Sequence, residues 1–185
     1  MKSLKLTLFV FLAFILFSCS NDDSPSPVNE EEVITTVTVT LVNGSNTIIL
    51  KSQDLDGNGP NSPVVTVSGN LDANSTYLGT IEFLNELENP AEDITLEIKE
   101  EGVDHQIFYQ LANSLGSFSY DDVDDNGDPI GVEFTLSTGN AGSGTLTVTL
   151  RHEPNKDASG VSSGDITNAG GSTDAQINFP ITVSL

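Results

Sequence analysis

The residues from Val33 to Val42, VITTVTVTLV, alternate between two sets of side chains: Val33, Thr35, Val37, Val39 and Leu41 on one parity, Ile34, Thr36, Thr38, Thr40 and Val42 on the other. A period of two belongs to a pleated strand, because a helix would spread the same valines around its axis. One face is apolar and the other largely threonine, as expected of a strand with a core on one side and water on the other. Asn43-Gly44 then supplies the residues that a two-residue hairpin turn favours, and Thr47 to Lys51 returns as TIILK.

The same grammar recurs at 64–67, 76–84, 106–111, 132–136, 144–151 and 176–185, with clusters of Gly, Asn, Asp and Pro between the runs. This pattern predicts an all-β fold, an antiparallel Ig-like β-sandwich of about seven to nine strands. One segment departs from it. Residues 90–101 begin with Pro90, carry Glu92 and Asp93 early and run into Gly102, which are helix start and stop signals. Ile94 and Ile98 would share a helical face, while Ile94, Leu96 and Ile98 fit a strand equally; the short helix is the favoured reading. No repeat of fixed period, βαβ alternation or glycine-rich nucleotide loop occurs, which argues against a parallel α/β sheet.

The chain opens differently. Lys2 and Lys5 precede Leu6 to Phe17, a run in which only Thr7 is polar. In helical form such a run reaches about 18 Å, short of a hydrocarbon core of roughly 30 Å. It ends in Leu16-Phe17-Ser18-Cys19, which resembles the lipobox cut by lipoprotein signal peptidase. The resemblance implies a signal peptide over 1–18 and a lipidated Cys19 at the mature N-terminus, which also accounts for the single cysteine of the chain. Residues 20–32, SNDDSPSPVNEEE, lack hydrophobic periodicity. With Cys19 they are expected to form a disordered acidic linker over 19–32, ahead of a single domain over 33–185. Ser20-Asn21-Asp22-Asp23 is similar to the short acidic signal that takes lipoproteins of Bacteroidetes-type bacteria to the cell surface. The expected location is the outer membrane, lipid-anchored, on its periplasmic face or at the cell surface.

Lysine and arginine number 6 against 27 acidic residues, for a formal charge of −21. Such a surface repels phosphate backbones and excludes nucleic acid as a partner. It suits divalent cations, and two loops have calcium-type spacing. Asp122, Asp124 and Asn126, with Gly127 at position 6 and Glu133 at position 12, follow the oxygen-ligand pattern of a calcium loop, and Asp128 belongs to the same candidate set. Pro129 and the strand-like flanks do not suit a helix-loop-helix hand. Asp54, Asp56 and Asn58 repeat the first half of the spacing, but Val65 stands where the last carboxylate would be. The alternative for both loops is a turn whose acids bond their own backbone. His105 follows Asp104 and His152 precedes Glu153, and imidazole with carboxylate is a donor set for Zn²⁺, Cu²⁺ or Fe²⁺ if the two histidines meet.

Catalytic spacing is missing: neither G-x-S-x-G nor H-E-x-x-H occurs, and the cysteine is assigned to the lipid. No catalytic residue is singled out. QDLDGNGPNSPVV (53–65), LDANSTYLGTIEFLNE (71–86) and RHEPNKDASGVSSGDITNAGG (151–171) together resemble a group of small flavobacterial lipoproteins, many of which carry the label "type 1 periplasmic binding fold". That label implies two βαβ lobes and solute binding for a transporter, whereas the strand pattern implies a sandwich. The expected function is a non-enzymatic binding or accessory module, calcium-stabilised and engaging an outer-membrane protein. A solute or transition-metal binder serving a transporter is the alternative, and an unrecognised hydrolase the third.

Overall fold

Two sheets face one another across an apolar core in the computed structural model, which describes residues 32–57 and 59–185. The expected signal, Cys19 and the linker up to residue 31 lie outside the described residues, as does Asn58. The first sheet has the order β3 (Val64–Val67), β2 (Asn46–Gln53), β1 (Thr36–Asn43), β5 (Thr76–Asn85), β9 (Glu133–Thr138), β8 (Gly116–Tyr120), with β6 (Glu92–Asp93) paired to the end of β5. The second has the order β4 (Leu71–Asp72), β11 (Ser172–Ser184), β10 (Gly142–His152), β7 (His105–Leu111). All pairings are antiparallel except β4 with β11. β4 and β6 have two residues each, so nine strands of four residues or more remain among the described residues. The chain is an all-β, antiparallel β-sandwich, as its alternation predicts.

The alternation also chooses what faces inward. Val37, Val39 and Leu41 of β1 meet Ile48 and Leu50 of β2 and Ile81 and Phe83 of β5, and the opposite sheet answers with Leu146, Val148, Leu150, Phe179, Ile181 and Val183. Gly79 of β5 stands across from Phe134 of β9, whose ring fills the space that a side chain at 79 would take. Tyr109 lies on that ring with centroids 4.1 Å apart.

The segment near 90–101 contains a helix, α1 (Ile94–Glu100). Its cap is Asp93, whose carboxylate accepts from the Thr95 amide at 3.1 Å, and not Pro90. Ile94 and Ile98 are buried, as their spacing of four requires. Thr95 bonds both backbone groups of Phe83, accepting from its N–H at 2.9 Å and donating to its carbonyl at 3.2 Å. β8 escapes the alternation because GSFSY carries only two large side chains, Phe118 and Tyr120.

Residues 153–171, between β10 and β11, fold back over the far side of β7, where Phe108 packs with Val161 and Ala169 in a second small core. Gln106, on the same parity as Phe108, donates to the Val161 carbonyl at 2.9 Å. The β10–β11 ladder steps from Leu150–Ala175 to Arg151–Thr173, which makes Asp174 the extra residue of a β-bulge. Among the described residues no helix is long and apolar enough to cross a membrane.

Candidate metal centre

His105 opens β7 and His152 closes β10, and the register of that pair sets them directly opposite. Their rings lie 4.8 Å apart, tilted by 34°. The histidines share the parity of Ile107 and Tyr109 in β7 and of Leu146, Val148 and Leu150 in β10, all of which face the core. They therefore continue the core-facing rows of both strands to one end of the sandwich.

His105 is fully buried. Its Nδ1 lies 3.1 Å from the Glu101 carbonyl, which can only accept, so Nδ1 carries the proton and donates. In the neutral ring Nε2 then keeps a lone pair, and it has no hydrogen-bond partner. It faces the Glu32 carboxylate Oε1 at 3.4 Å and Asp174 Oδ2 at 3.9 Å. A buried lone pair set against carboxylate oxygens is unfavourable unless a proton or a cation lies among them. Burial, with Asp174, Glu97 and Glu101 nearby, pushes the Glu32 carboxyl up to about 7. Burial also holds the His105 imidazole below its ordinary value, and His152 adds to that.

The bulge is what brings Asp174 here. Ala175, Ile177, Phe179, Ile181 and Val183 run inward on one parity of β11, and strict alternation would turn position 174 away from them. The extra residue resets the direction, so the Asp174 side chain is 1% exposed beside His105. His105, His152 and Asp174 offer ligand atoms within 4.8 Å of one another, and so do Glu32, Glu101 and His105. A tetrahedral ion with bonds near 2 Å wants ligand atoms roughly 3.3 Å apart, which small side-chain rotations would reach.

The acidic loops are arranged differently. Asp122 accepts from the amides of Gly131, Val132 and Glu133 at 2.7, 2.8 and 3.1 Å. Asp124 accepts from the Asn126 and Asp128 amides at 2.8 and 3.0 Å. Its second oxygen takes the Lys156 ammonium at 2.8 Å, and that ammonium also donates to the carbonyls of Gly102 and Pro129. Lys156 therefore supplies the positive charge within this loop. Burial alone would raise the Asp124 carboxyl, but Lys156 and the two amides hold it below its ordinary value. Glu133 turns away to Lys99 at 3.3 Å. In the other loop, Asp54 accepts from the Asp56 amide at 3.3 Å, and Asp56 bonds Asn61. The side-chain hydrogen bond between the two acids pushes Asp54 up and draws Asp56 down. Among the described residues neither loop gathers three such ligand atoms within 4.8 Å.

Of the residues singled out by spacing, the fold brings His105 and His152 together. Asp174, Glu32 and Glu101 escape sequence reasoning. Glu32 reads as the last acid of a linker, and Asp174 is placed by a bulge that no local signal announces. No protein-family model matches the chain, and no curated protein or solved structure shows significant similarity to it.

Proposed function

We infer that this domain is a non-enzymatic binding module for a divalent transition-metal ion, Zn²⁺ or Cu²⁺, held by His105, His152 and Asp174 with Glu32 as a further donor. The observation that carries this reading is the buried His105 Nε2, which has no hydrogen-bond partner and is turned toward two carboxylates. Two imidazoles with carboxylates form a borderline donor set that suits Zn²⁺ or Cu²⁺ better than calcium, which prefers oxygen alone. The Glu101 carbonyl would fix the ring and tautomer of His105, as outer partners do in metal sites. The N-terminal pattern supports placing the module on a membrane through Cys19, where an outer-membrane protein or transporter would be its partner.

Titration calorimetry with Zn²⁺ tests the reading. One ion per protein is expected, and His152→Ala and Asp174→Asn should each weaken binding about a hundredfold or more, since loss even of outer partners costs roughly 10–100-fold. His152 is partly exposed, so its replacement leaves the core intact. Zinc binding of equal strength in both variants would refute the assignment.

A further inference from the structure

The wall of the centre is continuous with a cleft of about 590 Å³. Glu32 and Asp174 line it, and so do Asp54 and Asp56. Ile34, Pro63 and Ile177 give it an apolar surface, and no lysine or arginine among the described residues contributes to it. The Asp54 loop and the carboxylates beside the histidine pair therefore share one opening.

A structural metal site is closed and supplies folding energy outright. Here the apolar core is contiguous across both sheets and is built of aliphatic and aromatic side chains, and two donors of the centre face a cleft. The geometry points to an exchangeable centre: the ion is cargo that enters and leaves by the cleft, with Asp54 and Asp56 as its first foothold. This rests on the metal-binding reading above. The fully buried, unpartnered Nε2 of His105, facing Glu32 and Asp174, marks the inner end of the route, and the acid pair, with Asp56 exposed, lies toward solvent.

Stopped-flow mixing with Zn²⁺, followed through a competing chelating dye, tests the route in purified protein. The double variant D54N/D56N is expected to take up Zn²⁺ at least about fivefold more slowly, within the range by which local charge alters association rates. E82Q/D125N removes the same charge from exposed positions that do not line the cleft, and should remain within about twofold of the unaltered protein. Zinc-loaded protein should yield its ion to EDTA within minutes. Equal rates in the two double variants, or zinc retained overnight against EDTA, would overturn the route while leaving the centre standing. No uptake by the unaltered protein would refute the centre itself.

Discussion

Lys156 shows what a single residue decides. Its ammonium is buried, and its bonds reach Asp124 and two backbone carbonyls. Replacing it with methionine leaves a buried carboxylate without its cation, which should destabilise the protein by about 3–5 kcal/mol in urea at neutral pH. The sign of the pH dependence follows. In the native protein the depressed Asp124 carboxyl contributes stability above its ordinary value of 3.8, lost as pH falls through the folded value. Without Lys156 that carboxyl moves up from its native position, since burial is then opposed by the two amides alone, so the variant's deficit should shrink as the solution is acidified toward about pH 4. A deficit independent of pH would contradict this account. The spacing of Asp122 to Glu133 is legible in the sequence, but the partner of Asp124 is not, because Lys156 arrives from a distant loop. At Gly79, the Phe134 ring leaves no room for a Cβ, and Gly79→Ala should cost about 1–3 kcal/mol in the same assay.

Elements are legible where a period can be read. The alternation of Val37, Val39 and Leu41 marks β1 and its inward face, and Ile94 with Ile98 marks the buried side of α1. β8 has too few large side chains to show a period, and two-residue β4 and β6 are made by pairing alone. The histidine pair depends on the β7–β10 register, and its carboxylate on a bulge; both are properties of neighbouring strands and leave no local trace. Deleting Asp174 tests the bulge directly. The ladder should close in regular register and the protein remain a cooperative β fold, melting roughly 2–8 °C lower for a loss of about 1–2 kcal/mol, with zinc binding abolished. Zinc affinity unchanged by the deletion would remove both the bulge and Asp174 from the centre.

At the scale of the molecule, a formal charge of −21 acts on everything at once. Salt shortens the reach of that field from about 30 Å at roughly 0.01 M to about 8 Å at roughly 0.15 M. Between those concentrations the melting temperature should rise as self-repulsion is screened, while zinc association slows. A melting temperature that falls with salt would mean that attractive pairs outweigh the repulsion. The position of β11 has a different consequence. It is the last strand in sequence, yet it lies between β4 and β10, inside its sheet. The other sheet can assemble from earlier segments, but its greasy side is covered only in part, by β7 and β10, until residues 172–184 dock opposite. A nascent chain of this design cannot close its core until residues 172–184 have been synthesised.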